Sequence, residues 1–129
     1  MTELSYARFT IPYPRFDRER KRWNRESGLN AYYAGKHWSQ RKDDATLWHA
    51  MTRSALVREK LTGQRFTSPV QITFRWNDAL DVENHAAMGK MITDALKGQL
   101  IPDDNRKWMK RVVHEFHDAD YIEVEVLRL

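Results

Sequence analysis

Residues 69–76, PVQITFRW, set Val70, Ile72, Phe74 and Trp76 at alternate positions against Gln71, Thr73 and Arg75. Successive side chains of an extended chain point to opposite faces, so this period of two predicts a strand with one buried face. The next segment decides the fold. A loop, NDALDVEN (77–84), leads into residues 84–97, where Met88, Met91, Ile92 and Ala95 fall on one face and Lys90, Asp94 and Lys97 on the other. That spacing predicts an amphipathic helix, with Asn84 as its N-cap and Gly98 ending it.

Working outward, a turn around Pro102-Asp103-Asp104-Asn105 precedes two further strands, at 111–117 and 120–127. The second, containing YIEVEVL, alternates cleanly, and His117-Asp118-Ala119-Asp120 reads as a hairpin turn between the two. Upstream, Leu47, Trp48, Met51, Ala55 and Leu56 or Val57 recur at helical spacing from about Ser39 to Leu61, and Gly63 supplies the stop. Residues 8–16, RFTIPYPRF, carry two prolines that cannot donate to a ladder, which predicts an edge strand or an irregular extended segment. Residues 17–36 are polar, basic and glycine-punctuated without a sustained period, and read as a long basic loop. The aromatics Trp23, Tyr32, Tyr33 and Trp38 argue against its being fully disordered. The order β, α, β, α, β, β predicts an α+β (mixed α/β) fold, a small mixed sheet with two main helices packed on it. At 129 residues the whole chain, 1–129, makes one domain.

Composition narrows the function classes. The absence of cysteine removes disulfide frameworks and thiolate metal sites. No basic n-region is followed by an apolar run, and no stretch approaches the roughly 20 apolar residues of a membrane span. The expectation is a soluble, cytoplasmic protein with no membrane partner. The net charge is +4, and between Arg15 and Lys42 nine Arg and Lys face only Asp17, Glu19 and Glu26. Such an excess favours a polyanionic partner, because Lys and Arg displace the counterions condensed on phosphates.

Against that basic background the carboxylates at 81–104 are the candidates for chemistry. Asp81 and Glu83 stand at i and i+2 just past a strand. In an extended chain both point the same way, with Cα atoms roughly 6.5 Å apart, close enough to grip one hard cation. Mg²⁺ suits such a site, since it takes one or two carboxylates and completes its octahedron with water and substrate phosphate. Asp103 or Asp104 would add a third ligand if the chain folds back along a helix about 20 Å long. Asp78, in the same loop, is an alternative to Asp81. Lys90, beside these acids, would orient a phosphate or stabilise its developing charge. The competing reading is structural: acids before a helix complement its dipole, and Pro-Asp-Asp-Asn is an ordinary turn composition. Lys36, His37, Arg41 and Lys42, interleaved with aromatics, form a mixture that holds phosphates and stacks on bases. Within it Trp48 is expected in the core, with His37 or Arg41 at the contacts. His49, His114 and His117 lack partners at metal-ligand spacing and read as structural. Nucleotide-binding, nucleophile-elbow and zinc-protease motifs are absent from the sequence.

Taken in order, Asp81-Val82-Glu83-Asn84, Lys90, Asp94-Ala95-Leu96 and Pro102-Asp103-Asp104 resemble the RusA-type Holliday-junction resolvases. That family's pattern is D-x-D-N, a helix with lysine and D-x-L, and a turn ending in two aspartates. Asn30, His37-Trp38, Arg41 and Trp48 are similar to the basic N-terminal segment of many phage-borne members. Two departures stand out: Glu83 replaces the second aspartate, and Lys90 lies three residues further along than expected. The resemblance implies a homodimer that resolves four-way DNA junctions by paired, symmetric, Mg²⁺-dependent nicks in recombination and repair, with no small-molecule cofactor. It makes Asp81, Glu83 and Asp104 the metal ligands and catalytic acids, Lys90 a catalytic lysine, and Asn30, Lys36, His37 and Arg41 DNA contacts. The alternatives are a non-catalytic protein that binds branched DNA through its basic segment, and an interaction protein whose acids merely cap a helix.

Overall fold

The computed structural model describes residues 3–129, the side chains of residues 32 and 33 excepted, so the readings placed on Tyr32 and Tyr33 lie outside the described residues. The elements are β1 (Tyr6–Pro12), α1 (Asp17–Ser27), α2 (Leu29–Tyr33), α3 (Trp38–Arg58) and β2 (Val70–Trp76), then a single 3-10 turn (Val82–His85), α4 (Ala86–Leu96), β3 (Met109–Phe116) and β4 (Tyr121–Arg128). The four strands make one mixed sheet in the order β1-β4-β2-β3. β4 runs antiparallel to both β1 and β2, whereas β2 and β3 are parallel. The mixed α+β class expected from the element order is the one observed.

Alternation does the sorting in this sheet. One face presents Phe9 and Ile11 from β1, Ile122, Val124 and Val126 from β4, and Val70, Ile72, Phe74 and Trp76 from β2, all buried. α3 and α4 close over that face with Trp48, Ala55, Leu56, Met88, Met91, Ile92 and Leu96. Each large apolar side chain so buried contributes about 1.5–3 kcal/mol of transfer free energy. The opposite face is polar. Arg75 on β2 reaches Glu115 (3.2 Å), Glu123 (2.6 Å) and Glu125 (3.2 Å), and Arg8 also bonds Glu123.

The fold departs from the sequence expectations at four places. Residues 17–36 are not a loop but two helices, α1 and α2. α1 escapes an apolar-periodicity test because none of its residues is fully buried. It docks instead through Trp23, edge-on to Tyr13 (5.0 Å) and tilted against Trp48 (6.4 Å). Arg20 adds a second tether, lying 4.7 Å over the Tyr13 ring and donating to the Asn77 carbonyl. Second, the stripe of α3 is rotated: Trp48, Thr52, Ala55 and Leu56 are buried, while Leu47 and Val57 face outward.

Third, residues 117–120 do not join a hairpin. β3 and β4 lie on opposite sides of β2, and the turn steps across the end of that strand, with His117 N donating to the Trp76 carbonyl and Asn77 Nδ2 to the Ala119 carbonyl. Side-chain alternation fixes which residues face the core but carries no information on which strand lies beside which. Fourth, Asn84 is not a helix N-cap. It lies inside the 3-10 turn, and its Oδ1 accepts from the Asn30 backbone N at 2.8 Å. Gly28 permits this approach, since a Cβ there would stand 2.6 Å from Asn84 Nδ2.

Candidate active site

The two ends of α4 carry different chemistry. At its C-terminal end Lys97 is the cap and Gly98 adopts a left-handed φ of 73°, a conformation favoured by glycine. The chain then doubles back: Gly98 N donates to the Ile101 carbonyl at 2.8 Å and Ile101 N to the Leu96 carbonyl at 3.2 Å, while Leu100 and Ile101 bury their side chains. Arg65 donates to the carbonyls of Gly98 and Gln99 and holds the turn. Asp103 accepts from the backbone N of Asp104 at 2.8 Å and from Asn105 Nδ2 at 3.2 Å, so its carboxylate shapes the turn. Asp104 is therefore the acid that faces the helix, 3.8 Å from Lys90 Nζ and 3.5 Å from Lys97 Nζ.

Asp94 completes a four-residue charge cluster, 3.1 Å from Lys90 and 3.3 Å from Lys97. Partial burial pushes the Asp94 carboxyl up, but the ammonium groups of Lys90 and Lys97 outweigh it and hold the carboxyl below its ordinary value. The hydrogen bond to Asp94 in turn raises Lys97. Lys90 remains 68% exposed despite these contacts, so its charge is open to a ligand. Beside the cluster lies a cleft of about 170 Å³, lined by Phe74, Gly89, Lys90, Thr93, Asp104 and His114 among others.

At the N-terminal end, Asp81 and Glu83 are exposed. The extended geometry expected between them is not adopted. Asp81 is extended and accepts from Asn84 N through its carbonyl, but Glu83 already lies in the 3-10 turn. With three residues per turn the chain rotates about 120° per residue, so the two side chains do not share one face. Among the described residues no group of three or more His, Asp or Glu side chains is spaced to hold a metal ion. The structure thus brings Asp104 to Lys90 but does not close Asp81, Glu83 and Asp104 into one cage.

Asp78 is removed from the candidate ligands altogether. Its carboxylate is fully buried: Oδ1 accepts from His85 Nε2 (2.8 Å) and Leu80 N (3.0 Å), and Oδ2 from the Tyr13 hydroxyl (2.7 Å). The other His85 nitrogen, Nδ1, stands 2.9 Å from the Val82 carbonyl. Each ring nitrogen thus stands within hydrogen-bond reach of an oxygen, the Asp78 carboxylate on one side and the Val82 carbonyl on the other. The ring also stacks on Trp76 at 4.4 Å. The pairing of Asp78 with His85 and Tyr13, which was not expected from the sequence, ties the end of β1, the end of β2 and the start of α4 into one unit.

The expected DNA contacts divide in the same way. His37 and Arg41 are exposed at the start of α3, where His37 Nδ1 accepts from Ser39 N and Trp38, 65% exposed, lies beside the His37 ring. Asn30 is exposed and tied to Asn84, which places it next to the turn carrying Glu83. Lys36 differs: its side chain is largely buried, pairs with Asp44 and donates to the Glu26 carbonyl, so it braces α1 against α3. The basic excess counted between Arg15 and Lys42 also includes exposed side chains outside these named contacts. α1 adds Arg18, Lys21, Arg22 and Arg25, none of them buried.

Neither a protein-family model nor a curated protein matches this chain. Among the described residues no helix is long and apolar enough to cross a membrane.

Proposed function

We propose that this protein is a Mg²⁺-dependent endonuclease that resolves four-way DNA junctions, acting as a homodimer that nicks opposing strands symmetrically. The observation that carries the reading is the return of Asp104 to Lys90 across the turn after α4. That return puts an acid and a lysine at one cleft on a chain of net charge +4. A cleft of this kind suits a phosphodiester, with the lysine drawing in the phosphate and the acid supplying an oxygen ligand.

The donor set fits Mg²⁺ in its chemistry, since Asp81, Glu83 and Asp104 offer oxygen ligands that are exposed or partly exposed. An Mg²⁺ site needs only one or two protein carboxylates, the rest being water and substrate phosphate. Asp104, with Asp81 or Glu83, would hold the ion, which when bound activates water and stabilises the leaving oxygen. The protein's own groups do the rest. Lys90 orients the scissile phosphate, Arg41, His37 and the basic face of α1 bind flanking phosphates, and Asn30 sits where strand and acid loop meet. A junction is two-fold symmetric in strand layout, and a two-fold dimer would present two such sites to it.

One observation favours a second reading, a branched-DNA-binding protein that does not cut. Lys90 and Lys97 already pair with Asp94 and Asp104, leaving a neutral cluster. Labelled four-way junctions incubated with and without Mg²⁺ separate the two. Paired nicks that require Mg²⁺ and disappear in Asp81→Asn and Asp104→Asn are expected. Salt-sensitive binding without cutting under every divalent ion tried would establish the second reading instead.

A further inference from the structure

We infer that His114 is a phosphate-binding residue of the α4 cleft, presenting its Nε2–H to a non-bridging oxygen of the DNA backbone beside Lys90. The inference deepens the nuclease reading and rests on it for the identity of the ligand. His114 lies in the middle of β3, an edge strand, yet its ring is drawn inward. It stacks on Phe74 at 5.1 Å and 14° and packs against Gly89 of α4. A Cβ at Gly89 would stand 2.9 Å from His114 Cε1, so the absence of a side chain there is what lets the ring reach the cleft shared with Lys90 and Asp104.

The direction of the ring's hydrogen bonding follows from its neighbour. Trp76 Nε1 is 3.1 Å from His114 Nδ1, and an indole N–H can only donate. Nδ1 is therefore the acceptor, and the proton of the neutral ring sits on Nε2. Burial of the ring, and then the nearby His85, lower its pKa, which favours that neutral form. Nε2 is not sealed in, because among the described residues every buried side-chain nitrogen and oxygen has a partner, and the ring's hydrogen bond within the chain is made by Nδ1. It opens on the cleft as a donor of fixed direction. The acceptor it fits is an oxygen drawn in by the Lys90 ammonium, and a phosphodiester oxygen meets both demands. Asp104, the one acid lining the cleft among the described residues, is offset by Lys90 and Lys97 and leaves room for an anion. The other charges facing this region are Asp94, which the same lysines hold, and His85, which lies behind Trp76.

Two isosteres separate binding from support. Asn at 114 keeps an acceptor near the Nδ1 position for Trp76 but loses the outward donor. Gln keeps a donor near the Nε2 position but loses the Trp76 partner. Affinity for a short oligothymidylate, measured without divalent ions, is expected to fall about tenfold in His114→Asn and to be largely retained in His114→Gln. The reverse order would overturn the inference and leave His114 as a support for Trp76. In the wild-type protein, long-range ¹H–¹⁵N spectra should show the Nε2–H tautomer and a shift of Nε2 on saturation with the same oligonucleotide. An Nε2 resonance unmoved at saturation would also overturn it, even if either variant folds poorly. Wild-type protein that never cuts junctions would sink the nuclease reading alone, since neither measurement depends on cleavage.

Discussion

The two ends of α4 hold two acid–base groups that differ in almost every physical respect. At the start, Asp78 and His85 are both fully buried, and Asp78 accepts hydrogen bonds from three residues. At the far end, Asp94 and Asp104 face Lys90 and Lys97 at 3.1–3.8 Å, with the Lys90 side chain mostly in solvent. A buried pair whose lone pairs are all used cannot exchange partners, because breaking it leaves an uncompensated charge in an apolar setting. An exposed pair costs little to separate. Proximity of opposite charges thus marks a fixed structural pair at one end and an exchangeable one at the other, and burial is what tells them apart.

The sharpest way to break this comparison is to remove one partner from each end. Asp78→Asn is expected to destabilise the fold by about 3–5 kcal/mol in urea denaturation, since His85 is left buried without its carboxylate. Asp104→Asn should change stability by no more than about 1 kcal/mol, yet abolish the proposed Mg²⁺-dependent junction nicking. Equal stability losses from the two changes would erase the distinction.

Gly89→Ala probes the ground between the two ends. The new methyl meets His114, an overpacking cost of about 1–3 kcal/mol, set against a helix-propensity gain of about 1 kcal/mol. A net loss of about 1 kcal/mol is expected, together with a change in Trp76 fluorescence as its partner moves.

The smallest effect is in pH. His114 and Asp94 both have lowered pKa values in the folded protein. A group lowered on folding contributes stability above its unfolded value that is lost as pH falls through its folded value. His114, with an ordinary value of 6.5, therefore weakens the fold on acidification from neutrality, and Asp94 does so further down, below its ordinary 3.8. Melting temperature should fall on going from about pH 7 to about pH 5, and His114→Asn should flatten that part of the profile. An unchanged profile in the variant would remove His114 from the account.

Much of the sheet and both main helices were legible because their apolar periods are strong. Val70 to Trp76 and Ile122 to Val126 alternate, and Met88, Met91, Ile92 and Ala95 fall on one helical face, all of them buried as read. α1 was not legible, because one tryptophan and an arginine resting on a tyrosine ring dock it where an apolar stripe would normally do so. The return of Asp104 to the helix was allowed by the turn residues, and Gly98 makes it possible. The roles of Asp78, His85 and His114 were out of reach, since each depends on neighbours distant in sequence or on strand order. His114 meets Trp76 only because β3 lies parallel beside β2. A histidine alternating with apolar residues in a strand was the available signal, and without the pairing partner it reads as ordinary core.

The strand order has a consequence for how the molecule comes together. β4, at residues 121–128, is the wedge between β1, at residues 6–12, and β2. During synthesis β1 emerges more than a hundred residues ahead of β4, its sheet partner among the described residues. Until β4 inserts, β1 and the inner edge of β2 expose unpaired backbone, and α3 and α4 close over an incomplete floor. Such long-range pairing slows folding and prolongs the exposure of strand edges. The nascent chain is therefore expected to stay protease-sensitive until residues 121–128 clear the ribosome, and to gain resistance in one late step.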